Sequence, residues 1–503
     1  MRNWWPLTAV CLGTFMLLLD ITIVNVALPA VAVDLHAGFG DLQWVVDGYV
    51  LGLVVLLLSA GSLADLRGRR RTYVAGLALF AAASLGCGLA STPTVLVVAR
   101  GLQGVGGALM FATTLALLSN SYRGRERGIA YGVWGAVNGA ATSIGPILGG
   151  VLTEHLGWRW IFLVNVPISV VAILLALRVL AESADPGARR VDWAGALTFS
   201  VAMAALLLGL IGTASWSPWM YPVAALALAA FVVVERRSAE PMLDLKLFTR
   251  PAFPAISFTA MAMPFALFSL FLFLALWLQS VLGFSPVEVG LAFLPLSLVA
   301  LVVSPLAGKH LTPRISARAQ IGAGLVVCGV GVLLFLGLDK DSTGMALLPG
   351  LLVGGLGVGV ASPRLSATAM SVVPPQRAGM AAGANNTFAQ LGNALGIAIL
   401  GVLFTRHVEA SLAVSGVGAG NPGFAAAVAG GGTPGLLAAT PEPRRAALTE
   451  AVDTAFTAGL NHVFLVAAVV AFAAAAATWF VTVPAEPRQD DRPAALDNAE
   501  PVS

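Results

Sequence analysis

Residues 7–32 read LTAVCLGTFMLLLDITIVNVALPAVA, 26 positions with a single acid, Asp20, and no base. As an α-helix at ~1.5 Å per residue this stretch is longer than the ~30 Å hydrocarbon core of a bilayer. It has no polar stripe of the kind a helix on a soluble domain presents to water. Ala30-Val31-Ala32 has the look of a signal-peptide cleavage site, but the apolar run is too long for a leader and Asp20 interrupts it. The stretch therefore reads as a membrane-spanning helix with a charge near its middle.

The rest of the 503 residues extends that reading. The chain is 58% hydrophobic and 11% charged, with a mean hydropathy of +0.88, against ~25% charged in ordinary soluble domains. A soluble fold of this length could not cover its surface with so few polar groups. Fourteen apolar runs are expected as spans, near 7–32, 44–64, 73–91, 94–119, 128–153, 160–181, 193–213, 219–235, 255–282, 288–308, 319–338, 345–372, 384–405 and 461–483. Charge tests the count. With the first residue cytoplasmic, 21 of the 28 Lys and Arg fall on the inner side, 5 on the outer, and Arg100 and Arg364 within spans. This is the positive-inside pattern, which one missed span would scramble. Both termini are accordingly expected in the cytoplasm of a plasma membrane. The preference for Arg over Lys points to a bacterial source.

The remaining composition excludes other classes. A net charge of +3 gives no footprint for nucleic acid. Cys11, Cys87 and Cys328 lie inside apolar runs, and the five histidines show no metal-ligand spacing; the expectation is small core residues, no metal and no cofactor. No catalytic signature occurs, so the chain is not expected to be an enzyme.

Two segments read as non-membrane: residues 407–455, Ala-, Gly- and Pro-rich, as an outer loop with an amphipathic helix near 443–458, and residues 484–503 as a disordered cytoplasmic tail. An internal repeat links the ends of the chain. Gly61-Ser62-Leu63-Ala64 leading to Arg67 matches Gly308-Lys309-His310-Leu311 leading to Arg314, and Gly101 and Gly106 match Gly350 and Gly355. The expected fold is an all-α membrane protein: a six-helix bundle (1–190), an inserted helix pair (191–237) and a second, pseudo-symmetric six-helix bundle (238–483).

Four motifs carry the chemistry. Leu19-Asp20-Ile21-Thr22-Ile23-Val24-Asn25 places a carboxyl in mid-membrane, where a charge costs at least ~3 kcal/mol. Asp20 is either a proton carrier, alternately wetted and dried, or a neutral acid bonded to a neighbouring helix. Gly61-Ser62-Leu63-Ala64-Asp65-Leu66-Arg67-Gly68-Arg69-Arg70-Arg71 joins spans 2 and 3; its glycines permit a tight turn, and an acid here can face a helix N-terminus. Arg100-Gly101-Leu102-Gln103-Gly104 sets a permanent cation inside span 4, either paired with Asp20 or snorkelling to the interface. Gly145-Pro146-Ile147-Leu148-Gly149-Gly150 gives span 5 a kink and a close-packing face. Asp47 is an equally open case, a proton relay or an acid held by the helix dipole, and Arg364 either meets an acidic group in a cavity or forms a structural pair.

In order and position these motifs resemble those of the major facilitator superfamily, most closely its fourteen-helix drug:proton antiporter (EmrB/QacA-like) branch; Trp158-Arg159-Trp160-Ile161-Phe162 and Asn165-Val166-Pro167 resemble the branch's sixth helix. Two departures stand out: Leu66 follows Asp65 where the family places Arg, and Ala141 replaces an expected Gly. The resemblance implies proton-driven export of drugs, antibiotics or hydrophobic metabolites. The substrate would be small, hydrophobic or cationic, and the exporter monomeric in the bilayer. Lipid or peptide export and solute:proton symport are the rival readings. It further implies proton coupling through Asp20, Arg100 and Asp47. A cytoplasmic gate would form at Gly61, Asp65, Arg67, Gly68, Arg69 and Arg70, with Asp65 latching the second bundle. Exchange is implied through Gly145, Pro146, Gly149 and Gly150. Spans 1, 4, 9 and 12 would line the cavity, which makes Phe15, Met16, Asn25, Met110, Phe111, Met261, Phe265, Phe268 and Arg364 candidate substrate contacts.

Overall fold

A computed structural model describes residues 4–184, 192–212, 216–238, 245–312, 314–339, 341–371, 378–415, 422–433 and 440–480, with a few isolated positions besides. The described residues are helical and contain no strand. The helices are α1 (Trp5–Leu35), α2 (Phe39–Arg67), α3 (Arg69–Gly88), α4 (Pro93–Ser121), α5 (Gly124–His155), α6 (Trp160–Leu163), α7 (Asn165–Val179), α8 (Trp193–Ile211), α9 (Met220–Arg237), α10 (Ala252–Leu267), α11 (Leu270–Ser280), α12 (Pro286–His310), α13 (Ala317–Leu333), α14 (Leu348–Ser371), α15 (Ala378–Ser415), α16 (Pro422–Ala429) and α17 (Glu442–Ala477). Among the described residues, eleven helical stretches are long and apolar enough to cross a membrane; α3, α5 and α13 run beside them.

Local chemistry sets the ends and breaks. α2 stops at Gly68, whose φ of 103° suits a residue without Cβ. Ser285 and Glu288 form a capping box at the start of α12. The run at 255–282 is broken after Pro264, where residues 268 and 269 separate α10 from α11, and the run at 160–181 is broken at Val164, three residues before Pro167.

Within 407–455, expected as an outer loop with a helix near 443–458, most of the described residues are helical. α15 continues to Ser415, α16 covers 422–429, and α17 already begins at Glu442. Much of the segment is thus a helical extension, built because Val408, Leu412, Val428, Val452 and Phe456 bury their side chains against one another's helices. The tail at 484–503 lies outside the described residues.

Helices α1–α7 pack mainly on one another, as do α10–α15 with α17; α9 pairs with α8, which leans on α2 and α15. The two sets meet at one end of the molecule. There Gln43 Nε2 donates to the Ile397 carbonyl at 2.7 Å, Gln279 Nε2 to the Val26 carbonyl at 3.0 Å, and the Val287 amide to Glu154 Oε2 at 3.3 Å. Phe39, from α2, packs on both Phe273 and Phe404. The backbones of α5 and α12 touch reciprocally: a Cβ on Gly150 would strike the Pro286 carbonyl, and one on Gly290 the Pro146 carbonyl. This end is sealed. At the opposite end a Cβ on Gly61 or Gly308 would meet open space.

Candidate functional site

Asp20 sits midway along α1 and is fully buried. Three donors from two other helices converge on it. Arg100 Nη1 on α4 lies 2.5 Å from Oδ2, while Gln103 Nε2 on α4 and Asn165 Nδ2 on α7 each donate to Oδ1 at 2.9 Å. Arg100 and Gln103 reach the same carboxyl because residues three apart share a helix face.

The network extends to two more helices. Arg100 Nε donates to the Val45 carbonyl of α2 at 3.0 Å, and Arg100 Nη1 to Gln103 Oε1 at 2.6 Å. Gln103 Nε2 also donates to Ser84 Oγ of α3 at 2.8 Å. The guanidinium lies 4.3 Å from the Tyr49 ring centroid and 5.6 Å from that of Phe162. Only 1% of Arg100 is exposed, so of its two sequence readings the structure selects the pair with Asp20 over snorkelling. Ser84 and Tyr49 escaped the sequence reading, since a Ser or Tyr in an apolar run carries no signal of its own. Gln103 and Asn165 were present only as letters within motifs.

The glycine motif of α5 joins this network to the seal. A Cβ on Gly145 would strike Thr22 Oγ1, and one on Gly149 would come within 2.6 Å of the Ile23 carbonyl, both on α1 just beyond Asp20. The residue after each, Pro146 with its carbonyl and Gly150, meets α12 about 100° further round the helix. A single helix therefore presses on the acid-bearing helix with one face and on the other helix set with another.

Asp47 is fully buried in α2, and among the described residues neither of its oxygens has a hydrogen-bond partner. It lies one turn from Gln43, which bonds α15.

The turn at Gly61–Arg71 brings in a residue that the sequence reading did not single out. The carboxylate at the N-terminus of α3 belongs to Glu182, which follows α7. Its Oε1 accepts from the Arg70 amide at 3.0 Å and its Oε2 from the Arg71 amide at 3.2 Å, with the two guanidinium Nε atoms 3.8 and 3.7 Å away. Arg70 Nη1 also donates to the Leu180 carbonyl at 3.2 Å, and the Arg69 amide bonds to the Ser183 carbonyl at 2.9 Å. These bonds hold α3 to the end of α7, within the first helix set. The side chain of Asp65 lies outside the described residues; Arg67 is exposed.

The expected cavity residues divide. Met16 and Met110 are packed into helix contacts, Met16 Sδ accepting from Ser169 Oγ at 3.2 Å and Met110 lying against Gly13. Phe265 is buried, whereas Phe15, Asn25, Phe111, Met261 and Phe268 are half-buried; Phe111 leans on Trp134 of α5 with 6.2 Å between centroids. Arg364 is half-buried with Nε unbonded. At ~100° per residue it falls on the face of α14 away from Gly359, which packs on α12, and away from Ser362, which reaches Met263 of α10. Among the described residues no hydrogen bond or ion pair joins it to Asp20.

Among the described residues no group of three His, Cys, Asp or Glu side chains is placed to hold a metal.

The profile of the Major Facilitator Superfamily matches residues 10–397. The multidrug resistance protein Stp of Mycobacterium tuberculosis is 40% identical over 413 residues, covering 81% of this chain and 76% of that one. The tetracenomycin C resistance and export protein of Streptomyces glaucescens is 35% identical over 508 residues, covering 97% and 93%. The puromycin resistance protein pur8 of Streptomyces alboniger is 38% identical over 428 residues, covering 82% and 84%. In fold, the chain is similar to a bacterial homolog of the human lysosomal transporter Spinster in an inward-facing, unoccupied conformation, with a TM-score of 0.64 at 18% identity, covering 97% and 100%. The family match over most of the length, together with the many apolar helices, makes this a multi-pass membrane transporter that belongs to the Major Facilitator Superfamily.

Proposed function

We propose that the protein exports drugs, antibiotics or hydrophobic metabolites from the bacterial cytoplasm in exchange for protons, by alternating access. Export of a toxic compound is supported by the relatives, whose names describe multidrug, tetracenomycin C and puromycin resistance. The single observation that carries proton coupling is the sealed Asp20 carboxyl, paired with Arg100 and joined through α5 to the contact between the helix sets.

In this reading the state described is closed to the outside and opens toward the cytoplasm. The basic residues at the open end support a cytoplasmic location for both termini. Fourteen spans are counted by adding α3, α5 and α13 to the eleven apolar stretches, with α8 and α9 as a pair inserted between two six-span bundles. Substrate enters from the cytoplasm while Asp20 is unprotonated, and its binding favours parting of α5 from α12 and opening to the outside. There Asp20 takes up a proton as substrate leaves, and the protonated, empty protein returns to the state sealed outside, where pairing with Arg100 favours release of the proton to the cytoplasm. Protons and substrate shift the two states only because they bind them unequally. Asp47, buried without a partner where charge is costly, serves as a second proton site beside the seal. The half-buried Phe15, Asn25, Phe111, Met261 and Phe268 supply an adaptable wall for the substrate.

The test has two arms. A strain expressing the protein is grown across a panel of toxic compounds, and the purified protein is reconstituted in vesicles with an imposed pH gradient. Expected are protection against at least one compound and solute movement opposite to proton flow. Movement in the same direction as protons would make the protein a symporter, and indifference to the gradient would remove proton coupling.

A further inference from the structure

The groove between α13 and α17 lies on the outer wall of the second helix set, far from Asp20. It is a cavity of about 530 Å³ at the same end of the molecule as the α2–α3 turn. Its floor is made of small and apolar residues, among them Gly322, Ala323, Val326, Phe472 and Ala475. At its mouth stand Arg318 and Trp479, the guanidinium 5.7 Å from the indole centroid. Trp479 and Phe480 are 72% and 64% exposed, as in the aromatic belt that marks a membrane–water interface.

Three properties of this groove point to one ligand chemistry. The first is charge. Arg318 makes no ion pair among the described residues, and the sequence holds no Asp or Glu from 289 to 338 or from 454 to 485. The second is direction. Ser316 caps α13, accepting from the Ala319 amide at 3.4 Å, so the free amides of the first turn and the positive end of the helix dipole face the mouth. The third is length. From Ser316 to Val326 the groove runs ten residues, or ~15 Å, half the ~30 Å hydrocarbon core and so the depth of one leaflet. A cationic mouth at the interface above an apolar slot one leaflet deep matches an anionic phospholipid, phosphate outward and one acyl chain laid along the slot.

We propose that the α13–α17 groove is a binding site for an anionic phospholipid of the leaflet facing the α2–α3 turn, with Arg318 and the α13 N-terminus holding the phosphate. The site is independent of what the protein transports. A basic residue near an anionic headgroup contributes about fivefold in binding.

The full-length protein is purified in detergent, and phosphatidylglycerol or phosphatidylcholine is added. Retained lipid is counted by native mass spectrometry and the thermal midpoint is measured in parallel. The expected result is one phosphatidylglycerol retained in about fivefold preference over phosphatidylcholine, with a raised midpoint. Arg318→Gln removes the preference, and Ala319→Trp, an exposed position on the slot, removes the bound lipid. Arg314→Gln, on the preceding turn and bonded instead to the His310 carbonyl at 2.6 Å, leaves both unchanged. Equal retention of the two lipids by the wild type overturns the proposal, as does undiminished preference in Arg318→Gln. An equal rise in midpoint with inorganic phosphate alone, or no lipid retained because the chain beyond residue 480 fills the groove, also overturns it.

Discussion

Replacing Asp20 by Asn keeps the volume and removes the charge. The new side-chain oxygen can still accept from Gln103 and Asn165, which sit at 2.9 Å. The new amide then faces Arg100 Nη1, which stands 2.5 Å from the present Oδ2, so a donor meets a donor. Arg100 keeps the Val45 carbonyl, the Gln103 oxygen and the two aromatic rings, but these leave a buried cation without an anion. Removing one member of a buried pair costs about 3–5 kcal/mol, and the retained partners place the expected loss at the lower end, about 3 kcal/mol. Adding Arg100→Met to Asp20→Asn removes the stranded charge and recovers part of that loss, because two neutral groups of similar shape replace the pair. Resistance to heat in detergent, read across the four proteins of this double-mutant cycle, gives the coupling. Export against a pH gradient in vesicles gives the function, and both the single and the double variant carrying Asp20→Asn are expected to lack it. An Asp20→Asn protein as stable as the wild type, or one exporting at the wild-type rate under proton drive, would refute the reasoning.

Gly290→Leu sets a side chain against the Pro146 carbonyl, where even a Cβ strikes; it should hold α5 and α12 apart, and a cysteine placed at Gln43 should label faster from outside than in the Gly290 protein. Asp47→Asn leaves no partner stranded, since its oxygens have none among the described residues; stability should change by less than about 1 kcal/mol, while the pH dependence of export should shift. Glu182→Gln removes a half-exposed charge from the α3 N-terminus and should cost about 0.5–1 kcal/mol in heat resistance, with export retained. Gly145→Val should block the α1–α5 contact at Thr22 and lower both export and folded yield.

The sequence by itself determined that the chain lives in a membrane and roughly where each helix runs. Lipid supplies no partner for a backbone N–H or C=O, so an apolar stretch of some 20 residues has to be helical whatever its neighbours are. The strongest charge anomalies, Asp20 and Arg100, were visible for the same reason: a charge in an apolar run is costly and therefore conspicuous. Tertiary structure decided everything that depends on which helices touch. Ser84, Tyr49 and Asn165 surround one ion pair although they come from three separate helices, and no spacing along the chain could group them. Glu182 meets the N-terminus of α3 because the end of α7 lies beside it. Met16 and Met110, read as candidate cavity walls, are buried in helix contacts in this state, and a Met looks the same along the chain in a core as in a binding site. Within 407–455, read as an outer loop with a helix near 443–458, the Ala and Gly carry weak periodicity; the lengths of the helices ending at Ser415 and starting at Glu442 depend on Val408, Leu412, Val452 and Phe456 having each other to pack on. A bilayer judges each helix one residue at a time, whereas a site is made by side chains that meet across helices, and that meeting is written only in three dimensions.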